Sequence, residues 1–236
     1  MSVFVEILKP GTKAPVEEVV EDEFAKLIFT RKNTGFDARV GEGTTLEGQP
    51  LKNAKVIGVT EGVDDTVDIT FKNKGITNSV IGVDGGGPLD LEVDIKGEDP
   101  TTDAGHSVFA KNTVSGSDVD DSIKFTRARF FGNTVNVGKG EDSVTFGTSN
   151  KVTLLGENIL DLGDDSDADI VKFNTVDGNI ADSIAPTAAK FTIKNFGQDD
   201  IFRIKNLDTQ QNIDFTQEDL KNGASPNDYF EFEFLD

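Results

Sequence analysis

The residues in this chain best equipped for chemistry are its carboxylates, and several cluster beside glycine. The sharpest case is Val137-Gly138-Lys139-Gly140-Glu141-Asp142-Ser143-Val144-Thr145, in which two alternating glycines precede an aspartate. Glycine lets backbone carbonyls turn toward an ion, and calcium takes six to eight oxygen ligands. Gly138, Gly140 and Asp142 are therefore candidate Ca2+ ligands. Asp118, Asp120 and Asp121 form a second cluster after Gly116, and Asp164, Asp165, Asp167 and Asp169 a third after Gly163. Asp64, Asp65 and Asp68, and the loop Asp84-Gly85-Gly86-Gly87-Pro88-Leu89-Asp90, are further acidic groups. Packing like charges together costs free energy unless a cation offsets them. The third cluster is no EF-hand, because Ile170 stands where the loop needs glycine and Val176 where it needs glutamate.

Composition narrows the chemistry further. The chain has 43 acids against 23 bases, a formal charge of −20, one histidine, no cysteine and no tryptophan. That excludes His/Cys zinc sites and a cysteine nucleophile, and leaves at most one imidazole-based triad. Nucleic acid and anionic lipid are excluded as partners, since phosphate is bound by clustered Lys and Arg. No run approaches membrane-spanning length. A glycosidase-like carboxylate pair would need aromatic platforms along a groove, and one tyrosine, Tyr229, is thin support. His106, in a loop beside Ser107, reads as a surface residue. The expectation is a protein that is not an enzyme.

The elements that must hold these carboxylates follow from a repeat of the form Asp or Asn, any residue, apolar, any residue, apolar. Copies begin at Asn112, Asp121, Asn133, Asp142, Asn150, Asn158 and Asp169, separated by eight to twelve residues. Each copy is a short strand with apolar groups on one face, and glycine-rich turns fill the gaps. One rung cannot bury its apolar face alone, so stacking makes the core. The expected fold is all-β: a two-sided parallel β-solenoid, or β-roll, over 50–205. Weaker copies at Asp65, Asn78, Asp90 and Asp200 extend it, and Gly97–Gly105 reads as a loop that bulges from it or divides it. The four asparagines at the leading position favour an uncharged hydrogen-bonded ladder over metal ligation.

Residues 1–49 are expected as an N-terminal cap or assembly segment. Within it, Val16, Val19, Val20, Phe24, Leu27 and Ile28 fall at helical spacing and favour a helix, against a competing strand reading. Residues 206–236 are expected as a C-terminal segment with a short helix after Thr216 and a terminal strand through Phe230, Phe232 and Phe234. Val3, Val5 and Ile7 alternate likewise at the other end.

Apart from its first residue, the stretch Val137–Thr145 fits the nonapeptide G-G-x-G-x-D-x-U-x, and here the chain resembles the RTX, or haemolysin-type, calcium-binding family. The resemblance implies a β-roll in which Gly138, Gly140 and Asp142 hold calcium between turns while Val144 fills the core. It also implies type I secretion through an uncleaved C-terminal signal. That fits an N-terminus, Met1 to Leu8, without a leader pattern; Phe234-Leu235-Asp236 is loosely like such a signal. The resulting expectation is a secreted, non-catalytic, calcium-binding structural protein, extracellular or at the cell surface of a bacterium. It would self-assemble as a homo-oligomer or polymer through its terminal strands into a filament, surface layer or matrix, without nucleic acid or membrane insertion. A phage decoration or tail-fibre protein is the alternative, and a polysaccharide-binding or polysaccharide-active solenoid the second.

Overall fold

The computed structural model describes residues 3–12, 16–21, 24–60, 62, 64–95, 108–127, 129–147, 154–175, 178 and 191–235. Two strands, β1 (Val5–Pro10) and β2 (Val16–Glu21), precede a chain course that visits three sheets, here B, C and A, in that order again and again. The first circuit is β3 (Phe24–Phe29), β4 (Asn33–Thr34) and β5 (Phe36–Val40); the second is β6 (Thr44–Gly48), β7 (Leu51–Lys52) and β8 (Lys55–Val59). Next come β9 (Val67–Asn73), β10 (Ile76–Thr77) and β11 (Val80–Asp84), then β12 (Leu89–Asp94), β13 (Val108–Ala110) and β14 (Thr113–Ser117). The fifth and sixth are β15 (Ser122–Arg127), β16 (Arg129–Phe131) and β17 (Thr134–Gly138), and β18 (Ser143–Phe146), β19 (Leu154–Leu155) and β20 (Asn158–Asp161). The described strands of the last turns are β21 (Ile170–Thr175), β22 (Phe191–Phe196), β23 (Ile201–Asn206), β24 (Asn212–Phe215) and β25 (Phe230–Phe234).

Nearly all of the pairing is parallel, so the expectation of an all-β chain with parallel sheets holds. Sheet A has nine strands, sheet B ten and sheet C six. The two-sided expectation is corrected to three sheets: the strands of sheet C are two or three residues long, too short to show alternation in the sequence. Parallel pairing begins at β3 with β6.

Register explains the core. On sheet B, Leu27, Leu46, Phe71, Val93, Phe125, Phe146, Phe173 and Ile204 lie directly over one another and are all buried. Sheet A supplies the facing column Ala38, Val56, Ile81, Val114, Val135, Leu160 and Ile193. Parallel pairing in register stacks like on like: the Phe125 and Phe146 rings are 5.3 Å apart and those of Phe146 and Phe173 4.7 Å, planes 18° and 7° apart. Each such contact adds about 0.5–1.5 kcal/mol beyond burial.

Antiparallel strands flank the parallel stack: β1 pairs with β5, β2 with β3 and β24 with β23, while β25 joins sheet A in parallel beside β22. The N-terminal helix expectation is therefore corrected: 16–29 is a strand pair, and the β-branched Val16, Val19 and Val20 take the strand that suits them. The C-terminal helix is present as α1 (Gln217–Lys221), capped by Thr216 and Asp219 in a reciprocal box, with Leu220 buried. The terminal alternations form β1 and β25. No helix among the described residues is long and apolar enough to cross a membrane.

Candidate cation corner

All ten candidate ligands fall at one edge of the molecule, the turns that carry the chain from sheet A into sheet B. Asp118, Asp120 and Asp121 lie between β14 and β15; Gly138 ends β17, and Gly140 and Asp142 lie between β17 and β18; Asp164, Asp165, Asp167 and Asp169 lie between β20 and β21. Because Ser122, Ser143 and Ile170 are in register, these turns stack. The stacking is close enough that a β-carbon on Gly163 would overlap the Gly138 carbonyl oxygen, and one on Gly138 the Ser117 carbonyl oxygen. Both glycines also have φ in the left-handed region, 93° and 103°.

The aspartate leading each repeat turns inward and forms a ladder. Asp121, Asp142, Asp169 and Asp200 are 2–3% exposed. The Asp121 amide donates to Asp142 Oδ1 at 2.7 Å, the Asp142 amide to Asp169 Oδ1 at 2.7 Å, and the Asp169 amide to Asp200 Oδ1 at 2.9 Å. At the top, the Leu89 amide donates to Asp121 Oδ1 and the Ser117 amide to Asp121 Oδ2, both at 2.6 Å. At the bottom, the Gly197 amide donates to Asp200 Oδ2 at 2.7 Å. Asp200 was missed as a site residue, although its repeat, Asp200 to Ile204, stands in the sequence.

Burial makes these carboxylates reluctant to ionise. Desolvation, reinforced by neighbouring Asp169, Asp121 and Asp165, pushes Asp142 up to about 9. Desolvation, with Asp200, Asp165 and Asp167, pushes Asp169 up to about 8. Asp121 and Asp200 are raised by burial as well, against the pull of the amides that donate to them.

Two carboxylate oxygens in this corner are buried and unpaired: Asp142 Oδ2 and Asp165 Oδ2. The other Asp165 oxygen accepts from the Asp167 amide at 2.9 Å. Asp165 and Asp167 also line, with Gln198 and Asp199, a cleft of about 180 Å³. Among the described residues no three acidic or histidine side chains converge as a ready ligand set. Asp165 Oδ2 and the Gly138 carbonyl oxygen both approach the position a β-carbon on Gly163 would take, and oxygens of this hard type are the donors that calcium takes.

The remaining candidates separate. Asp84 accepts from Arg39 Nη2 at 3.0 Å and Asp90 faces the Lys124 ammonium at 3.4 Å, so both acids of that glycine loop are engaged by cations. Asp64 and Asp65 sit in the turn before β9, while Asp68 lies on that strand opposite Asp90, its carboxyl raised by partial burial and by Asp90. Gly97–Gly105, His106 and Asn150 lie outside the described residues, as does Asp236.

The asparagines build a second ladder where sheet C passes into sheet A. The Asn112 amide donates to Asn133 Oδ1 at 2.9 Å, and the Asn133 amide to Asn158 Oδ1 at 3.0 Å. Their Nδ2 groups donate to Ile76 O, Phe109 O and Phe130 O. Ser79 continues the ladder, its amide donating to Asn112 Oδ1. Asparagine, with an acceptor and two donors on one short side chain, satisfies successive circuits without charge.

Comparison of the chain with protein-family models, with curated proteins and with solved structures gives no match.

Proposed function

We propose that this chain is a non-catalytic structural protein, a three-sided parallel β-solenoid degenerate in its RTX-like repeat, that assembles outside a bacterial cell as a filament, surface layer or matrix. The observation that carries the reading is the pair of interior ladders. The buried aspartates at one corner and asparagines at another are spent on joining each circuit to the next. Such a stack is a rod whose length and stiffness are its useful properties.

Calcium enters at the corner where Asp142 Oδ2 and Asp165 Oδ2 lack partners. Those two carboxylates would hold it, with stacked-turn carbonyls from residues such as Gly138 completing the oxygen set. The ion would supply the positive charge that a column of buried acids lacks. End-to-end assembly would use the free edges of sheet A, β1 at one end and β25 at the other.

Electron microscopy and thermal melting, each with calcium and with chelator, test this together. Ordered polymers and a higher melting temperature with calcium are expected. Identical melting curves reject the metal. Removal of residues 1–9 should leave a folded monomer without polymer, and unchanged assembly rejects the end-to-end contact.

A further inference from the structure

The outer face of sheet B carries a row of side chains placed by register, and its bases are partnered unequally. Lys124 reaches Asp90 at 3.4 Å, and Arg203 clasps Asp214 through two bonds of 2.6 and 2.7 Å. Among the described residues Lys172 has no such partner. Directly opposite it across the β21–β23 ladder stands Arg203, and two residues along that strand is Lys205, which faces Asn174 and Asn212. Like charges set opposite each other in a sheet are unfavourable. The Lys172 ammonium is held below its usual range by partial burial and then by Lys205 and Arg203. Arg203 is neutralised by Asp214, so among the described residues Lys172 and Lys205 are the bases of this patch that no acid engages, in a chain with 43 acids and 23 bases.

Beside it runs the opposite charge. On the corner feeding sheet B, Asp118, Asp120, Glu141, Asp164, Asp167 and Asp199 are exposed in successive stacked turns, with Lys139 the one base among them. Patch and ridge border the same sheet. A two-fold pairing of sheet B faces therefore sets each patch against the other copy's ridge, a self-complementary contact.

We infer that the outer face of sheet B at Lys172 and Lys205 docks the acidic ridge of a second copy of this chain. The inference rests on the reading of the chain as an assembling structural unit, and adds a lateral contact to it.

The full chain, at one fixed calcium concentration, is followed by sedimentation velocity at low and high salt, with circular dichroism to confirm folding. Pairing at low salt and at least tenfold weaker pairing at high salt is expected. Lys172→Glu/Lys205→Glu and Glu141→Lys/Asp199→Lys should each be folded and lose the salt-sensitive lateral pairing, and their equimolar mixture should pair again, because each then offers the charge the other lacks. A mixture that stays unpaired, or a lysine variant that pairs like the parent, overturns the inference. Polygalacturonate binding by a monomeric parent, lost in the lysine variant, assigns the patch to an acidic polysaccharide and likewise overturns it. Micrographs in which the lysine variant still forms the parent's end-to-end polymers and lateral pairs remove this contact alone, whereas absence of any self-association removes the assembly reading with it.

Discussion

Asp142 has one carboxylate oxygen engaged by the Asp121 amide and one buried without a partner. Asp142→Asn keeps an Oδ1 acceptor for that amide and removes the ionisable group. In chelator at pH 7 the variant should be more stable than the parent by on the order of 2 kcal/mol, because the folded parent must retain a proton that its unfolded chain releases. Its calcium-induced rise in melting temperature should shrink. A variant less stable than the parent in chelator would show that the carboxylate itself holds the turn. Asn133 offers the contrasting case, since its Oδ1 takes the Asn112 amide and its Nδ2 serves Phe109 O. Asn133→Ala orphans both, and denaturant unfolding should record a loss of about 2–4 kcal/mol. The alternation of Asp and Asn was readable along the chain, but not that aspartates line one corner and asparagines another. That follows from which sheet each repeat enters, and so from the circuit length. Asp200 reads as a weaker copy of the repeat and not as a site residue, because its turn, Gly197-Gln198-Asp199, carries fewer acids than the clusters at Asp118–Asp121 and Asp164–Asp169.

At the scale of elements, the apolar alternation of sheets A and B was legible because four to seven residues suffice to show period two, whereas the two- and three-residue strands of sheet C show none. The helix expected over 16–28 failed for a related reason: Val16, Val19 and Val20 satisfy both a helical and a strand template, and only pairing with β3 decides. That pairing places Glu18 opposite the buried Leu27, so an inward-facing acid stands at the open end of sheet B. A charge there discourages a further strand layer from adding. Glu18→Val should promote end-to-end association through sheet B, visible as higher-order species in sedimentation at low protein concentration; an unchanged profile would mean that the edge is closed by other means. The aspartate ladder acts as one element too, and its pH response has a definite sign. Asp142 and Asp169 move from an ordinary 3.8 to about 9 and about 8 in the fold. Between those limits the folded chain holds protons that the unfolded chain has released, so metal-free stability falls as pH rises from about 4 toward 9, by up to about 1.4 kcal/mol per pH unit per group. Asp121 and Asp200 act in the same direction. Asp214 opposes them only under acid conditions, because Arg203 holds its carboxyl below the usual range and that contribution is lost as pH falls through it. Chemical denaturation in chelator from pH 4.5 to 9 should show a continuous decline; a flat or rising profile would mean that the ladder is ionised and otherwise compensated.

For the molecule as a whole, the stacked corner turns proton and calcium into competitors for the same column of charge. A formal charge of −20 already opposes compaction, and the four buried carboxyl groups in line add repulsion along one edge wherever they ionise. Below about pH 5 protons neutralise the column, so calcium has little left to offset and should raise the melting temperature only slightly. At pH 8 the protons are leaving, and a cation between Asp142 and Asp165 would replace them. The calcium-induced stabilisation should therefore grow steeply between pH 5 and 8, and calcium binding near pH 7 should release protons. Isothermal titration in buffers of different ionisation enthalpy measures that release directly. Heats that do not depend on the buffer, together with a calcium effect of equal size at pH 5 and 8, would place any bound ion among the exposed acids of the ridge and leave the ladder out of its binding.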